Sequence, residues 1–266
     1  MDLNTVTSLR PARSRDDLRL APGEAFLGGG SWLFSEPQPA LTGLVDLTTL
    51  GWEPWAETPS GLSVAATCTV AELVEHAAAS SNPSAAVFGA SAEALLMSFK
   101  IWGTATVGGN LCLALPAGAM ISLMAGLGAE VVVWTPDGGE RREPVAAFVT
   151  GAGTTTLLPG EVLRSIEVPV ATLASRAVLR TAALTTLGRS SAVVLGRTDG
   201  DSTVLTVTAS TPRPYVLELG AVPGRDEVVG AVDAINDWYD DAHGAPDWRA
   251  GVTRELALDV CAELHR

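Results

Sequence analysis

Apolar and polar positions change their period often along this chain, and short elements of both kinds follow from that. Residues 25–34 run apolar and then meet three glycines, which predicts a strand entering a glycine turn, with WLF opening a helix or a second strand. LTGLVDLTTL (41–50) reads as β-rich, with Val45, Leu47 and Leu50 bounded by Gly43 and Gly51. GLSVAATCTVAELVEHAAAS (61–80) predicts a short strand and then a helix. Thr69 is its N-cap, and Glu72 three residues on completes a capping box. SAEALLMSFK (91–100) is helical by propensity, whereas TATVGGNL (104–111) predicts a strand running into a turn.

Residues 117–127 suit a buried helix stopped by Gly128. AEVVVWTPDGGERREPVAAF (129–148) reads as a hairpin turning at Pro-Asp-Gly-Gly, and PGEVLRSIEVPV (159–170) as a further strand. After that the character changes. Residues 176–220 look like antiparallel strands, and 226–266 like two amphipathic helices joined by HGAPDW. Strands and helices mix without regular βαβ alternation, so the expected class is α+β. The expected division is 1–170, in two lobes meeting near residue 55, and 171–266.

Composition narrows the function. At 266 residues with 47% apolar and 18% charged residues the chain can bury a core, despite a net charge of −13. That acidity, with Lys100 the only lysine and the arginines dispersed, argues against nucleic acid. The N-terminus lacks an apolar segment of signal-peptide length, from which a cytoplasmic location is expected. No charge falls between Lys100 and Glu130, long enough to cross a bilayer. Yet Gly108, Gly109, Asn110 and Pro116 would break such a helix, so no membrane span is expected. Cys68, Cys112 and Cys261 are far apart, as are His76, His243 and His265, and neither set has metal-ligand spacing. Several of the seven tryptophans fall in loop-like contexts, which suggests a share of them at an interface.

The chemistry therefore concentrates in two glycine clusters, GGGS (28–31) and TVGGN (106–110). Glycine admits positive φ and carries no Cβ, so successive N–H groups can converge on an anion such as a pyrophosphate. Ser31, Thr106 and Asn110 add side-chain donors. Neither cluster is a Walker loop or a G-x-G-x-x-G turn. Two such loops can still clamp an extended dinucleotide from opposite lobes.

With these stretches in order, FLGGGSWLF, LVDLTTL, AATCTVAEL, TATVGGNL, LGAEVVVWTPDGGERREPVAAF and LLPGEVLRSIEVP, the chain resembles the FAD-binding medium subunit of the molybdenum hydroxylases. These are the xanthine dehydrogenase and carbon monoxide dehydrogenase type, and the resemblance covers nearly the whole length. It implies a two-lobed PCMH-type FAD-binding domain followed by a small domain of antiparallel sheet plus helices. It implies non-covalent FAD, its pyrophosphate held by Leu27, Gly28, Gly29, Gly30, Ser31, Trp32 and Leu33. It also implies that Thr106, Gly108, Gly109 and Asn110 approach the flavin side and that Leu163 packs near the isoalloxazine.

The implied role is electron transfer from [2Fe–2S] clusters on a small partner subunit, fed by a large molybdopterin-binding subunit, through FAD to an external acceptor. No catalytic residue and no metal ligand is implied on this chain. The chain departs from the family's pattern at Trp32, at Trp102 and Gly103, at Ala119 in place of an acidic residue, and at Leu184 in place of a lysine. These departures leave open a non-catalytic scaffold relative with weakened FAD binding. A stand-alone flavin oxidase is the third reading.

Overall fold

The structure is a computed structural model that describes residues 3–94 and 99–266. Its first sheet is small and wholly parallel: β1 (Ser8–Pro11) and β2 (Glu24–Leu27) flank β3 (Gly43–Asp46). β3 is central and is buried on successive residues, Gly43 to Val45, as a strand covered on both faces must be. LTTL, expected to extend it, instead forms a 3-10 turn at Leu47–Leu50. The Asp46 carboxylate accepts from the Thr48 N–H at 2.9 Å and outcompetes the β-propensity of the threonines.

Arg10 grips Glu24 across this sheet with two 2.9 Å bonds. Those bonds, helped by the Ala21 N–H, lower the Glu24 carboxyl to about 2. A carboxylate depressed in the folded state stabilises above its unfolded pKa of about 4.3 and loses that contribution as pH falls. Glu24→Gln is therefore expected to be less stable than the wild type at pH 7, with the gap closing between about pH 4.3 and 2. Urea unfolding across that range checks it, and a gap independent of pH contradicts it.

The second sheet is antiparallel, in the order β4–β5–β10–β6–β7. Its strands are β4 (Trp55–Thr58), β5 (Gly61–Ala65), β6 (Glu130–Trp134), β7 (Glu140–Pro144) and β10 (Val162–Pro169). The hairpin β6–β7 turns where the Pro-Asp-Gly-Gly signal lies. A minor hairpin, β8 (Val149–Gly151) with β9 (Thr154–Thr155), follows the short α6 (Val145–Phe148). Trp52 meets Trp134 edge-on at 5.5 Å, with Arg164 over Trp52 and Arg15 over Trp134, joining the N-terminal segment to this sheet.

One hydrophobic core joins the second sheet to α1 (Val70–Ala79), α2 (Ala86–Glu93), α3 (Phe99–Trp102), α4 (Val107–Leu113) and α5 (Ala119–Gly126), with α4 packed on β5 and β10. Thr69 and Glu72 form the expected reciprocal cap of α1. The helix expected over 91–100 is seen at both ends, while 95–98 lie outside the described residues. Every residue of α5 is buried, because the helix packs between α2 and the third sheet. That position explains the charge-free stretch, and Gly128 ends it at φ +63°. No described helix is long and apolar enough to cross a membrane.

After α7 (Val170–Leu173) comes a four-stranded meander: β11 (Arg176–Ala182), β12 (Ala192–Thr198), β13 (Thr203–Thr208) and β14 (Tyr215–Leu219). α8 (Arg225–Asp233) and α9 (Pro246–Leu264) cover it, burying Val194, Leu205, Val228, Val232, Ala257 and Val260 together. The connection is 234–245 rather than HGAPDW, since Pro246 opens α9 at its first helical position. The architecture is α+β, as expected.

Candidate functional site

β2 ends at Leu27 and the chain turns through the glycines. WLF continues neither as helix nor as strand. Phe34 N–H donates to Gly30 O at 2.9 Å and Ser35 N–H to Trp32 O at 2.8 Å, closing successive turns. Gly30 sits at φ +69° against the Phe34 ring, a conformation other residues adopt only under strain. A Cβ on Gly29 would lie 1.5 Å from the Thr104 carbonyl oxygen. The glycines therefore let this loop press onto the backbone that leads into the second cluster. Backbone N–H groups 28–33 have no acceptor among the described residues, which is the arrangement an anion cradle requires.

TVGGN is the start of α4, contrary to the strand-and-turn expectation. Thr106 caps it, its Oγ accepting from Gly109 N–H at 3.1 Å. Val107 N–H donates to Cys68 O and Gly108 N–H to Ala66 O, so this helix start is fully paired within the protein. Gly108 has no room for a side chain, because a Cβ would come within 2.5 Å of that of Ala66. The second cluster is thus a helix docking point, and the N–H groups of Val107, Gly108, Gly109 and Asn110 are all taken within the protein. Its side chains offer a ligand the Thr106 hydroxyl proton and the Asn110 amide, whose Oδ1 already accepts from Met120 N–H at 3.0 Å.

The two clusters meet along one cleft of about 720 Å³, within the ordinary size of a cofactor site. Leu27, Gly28, Gly29, Gly30, Ser31, Trp32, Leu33, Thr106, Gly109 and Asn110 all line it. Gly108 stands behind the lining on Ala66. Leu163 lies in the core, 3% exposed and opposite Val133 in the second sheet, and is not part of the wall. Of the positions that depart from the family pattern, Trp32 is half-exposed at the cleft. Trp102 packs on the core and Ala119 is buried, while Leu184 is exposed on the loop after β11.

The C-terminal unit supplies a further part of the lining, mostly from segments that connect its strands and helices, which no sequence pattern marked. It includes Arg189, Ser190, Ala209, Tyr239, Asp241, His243 and Arg249. Arg249 is 1% exposed, yet its guanidinium donates to the carbonyls of Gly244, Ser191 and Ala209 and to the Asp241 carboxylate. Gly244, at φ +154°, leaves the room that Arg249 occupies.

Cys112 projects from α4 into the cleft, the one exposed thiol among the described cysteines. Partial desolvation by the cleft walls raises its pKa, so it is held as the thiol rather than the thiolate at neutral pH. Its alkylation is expected to be slow at pH 7, to quicken as the pH rises, and to be blocked by saturating FAD. Mass spectrometry of maleimide-treated protein reads all three, and labelling unaffected by FAD would place the cofactor elsewhere.

A free N–H run, a cleft of this volume and donors at Thr106 and Asn110 fit a dinucleotide with a pyrophosphate. Residues 13–171 match the family described as FAD binding domain in molybdopterin dehydrogenase. No curated protein matches the sequence. The fold is shared with quinoline 2-oxidoreductase from Pseudomonas putida 86, at TM-score 0.80 and 20% identity over 100% of both chains. It is shared with the reconstituted CO dehydrogenase from Oligotropha carboxidovorans, at TM-score 0.83 and 23% identity over 98% of this chain and 99% of the other. A carbon monoxide dehydrogenase from Hydrogenophaga pseudoflava, lacking the Mo-pyranopterin moiety of its cofactor, aligns at TM-score 0.81 and 19% identity over 97% and 98%. The free-donor glycine loop over a dinucleotide-sized cleft and the match across residues 13–171 lead to one conclusion: the chain belongs to the family of FAD binding domains of the molybdopterin dehydrogenases.

Proposed function

We propose that the chain is the electron-transfer flavoprotein subunit of a molybdenum hydroxylase-type complex in the cytoplasm. Its partners are a large molybdopterin-binding subunit and a small iron–sulfur subunit. The observation that carries the reading is the run of N–H groups at 28–33, without an acceptor among the described residues, on residues that line the cleft. In this reading those groups hold the FAD pyrophosphate, with Leu27 and Leu33 flanking them and Thr106 and Asn110 donating to the cofactor from α4. Bound FAD supplies the redox chemistry that links the partners' clusters to an external acceptor. The chain itself binds, orients and shields, and contributes no acid, base or nucleophile.

Leu163 and Gly108 act in this reading through packing: Leu163 stiffens the sheet behind the cleft, and Gly108 fixes α4 on the loop at 66–68. In this reading residues 1–170 form the FAD-binding domain, in two lobes meeting near residue 55, and residues 171–266 the C-terminal domain.

The test is direct. The purified chain, denatured after free flavin is removed, is expected to release FAD identified by absorbance and mass, and to reload on reconstitution. A colourless protein that takes up no FAD contradicts the reading. Purification from the native host is expected to recover a molybdopterin subunit and an iron–sulfur subunit with it. Substrate oxidation by the isolated chain would overturn the assignment to a complex.

A further inference from the structure

The part of the cleft wall that the C-terminal unit supplies is organised around a charge that ordinary packing does not call for. Arg249 is buried on the first turn of α9, where desolvating a guanidinium costs several kcal/mol unless its partners compensate. Its Nε donates to Gly244 O at 2.9 Å, and Nη1 donates to Ser191 O and Ala209 O. These three carbonyls come from three separate segments of the C-terminal unit, and each segment contributes to the cleft lining. Nη2 donates to Asp241 Oδ1, the same oxygen that accepts from the His243 N–H at 2.8 Å. Asp241 Oδ2 is left with no partner among the described residues, on a side chain that is 29% exposed and lines the cleft.

One oxygen of a carboxylate is thus pinned by two donors, and the other stays available in the cavity. Its charge repels a pyrophosphate, so the group it meets must be a neutral donor, O–H or N–H. Arg249 is no phosphate ligand either, because four of its five N–H groups are already taken by the protein. Tyr239 and His243 stand beside the carboxylate in the same wall.

We propose that Asp241 is a cofactor-binding residue that accepts a hydrogen bond from a neutral O–H or N–H donor of the bound dinucleotide, and that Arg249 is its positioning residue. The proposal rests on the FAD reading of the cleft and adds the part of the wall that the C-terminal unit supplies. In FAD such donors are the ribityl and ribose hydroxyls, the adenine amino group and the isoalloxazine imide N–H.

The experiment is a ligand-by-variant cycle on the full chain. FAD, N3-methyl FAD, N6,N6-dimethyladenine FAD and FAD analogues each lacking one ribityl or ribose hydroxyl are titrated against wild type and Asp241→Ala. Binding is followed by flavin fluorescence. Asp241→Ala is expected to bind FAD about tenfold or more weakly, as for loss of a hydrogen bond to a charged group. One analogue should lose a similar factor on the wild type and nothing further on Asp241→Ala, which names the donor. Arg249→Lys, which keeps the charge but not the fork, should shrink that coupling. Thermal unfolding of the apo variants verifies that each is folded. Equal losses for every analogue on both proteins, or unchanged FAD affinity in Asp241→Ala, would overturn the proposal. A wild type that binds no FAD would instead sink the cleft assignment beneath it.

Discussion

Gly29→Ala is expected to bind FAD at least tenfold more weakly than the wild type, about 1.4 kcal/mol. The reason is geometric. The added methyl would fall 1.5 Å from the Thr104 carbonyl oxygen, which is main chain and cannot swing aside. The loop must lift off residues 104–106, and the N–H run at 28–33 moves with it, away from the position set by Thr106 and Asn110. Isothermal titration of the apo protein with FAD measures the loss. Gly251→Ala in α9, where an added Cβ would meet no described atom within 4 Å beyond its chain neighbours and the helix's own backbone, is the control. It should leave affinity alone and raise helix stability by up to about 1 kcal/mol. Equal FAD affinity in Gly29→Ala and wild type would mean that the glycine loop is not the cradle.

Arg249→Met should cost about 3–5 kcal/mol of stability in the absence of any cofactor. Methionine fills much of the space but leaves the carbonyls of Ser191, Ala209 and Gly244 without their donor, and Asp241 without its counter-charge. A loss of that size is a large part of the 5–15 kcal/mol typical of a whole domain. Urea unfolding is expected to show a lower midpoint at unchanged slope. An unchanged midpoint would mean that the carbonyls find other partners and that Arg249 does not hold this wall together.

Much of the secondary structure was legible because local chemistry and tertiary demand agree there. Thr69 with Glu72 caps α1, Pro-Asp-Gly-Gly turns the β6–β7 hairpin, and Gly128 stops α5. Where they disagree, the local reading failed. Two adjacent glycines in TVGGN weigh against a helix by propensity. Yet α4 starts there because Cys68 and Ala66 supply carbonyls to its first N–H groups and because only glycine fits against Ala66. Thr106 was the available signal, an N-cap residue just ahead of the pair. At LTTL the β-branched threonines pointed to a strand, and a cap from Asp46 decided otherwise.

By itself the sequence determined the class of the fold and the glycine loop at 28–31 that lines the cleft. Glycine at positive φ, a missing Cβ and a run of backbone donors are local properties, readable wherever 28–31 ends up. Ten of the twelve positions that the family resemblance implies line the cleft, and the two that do not, Gly108 and Leu163, are positions whose exposure depends on what packs behind them. The part of the wall that the C-terminal unit supplies was decided only by tertiary structure. Arg249, Asp241, Ala209 and Ser191 are spread over 59 residues of chain and share no motif or period. They converge because the return of α9 across the meander brings a guanidinium against the ends of strands and a turn, and its charge could be buried only where those carbonyls met it.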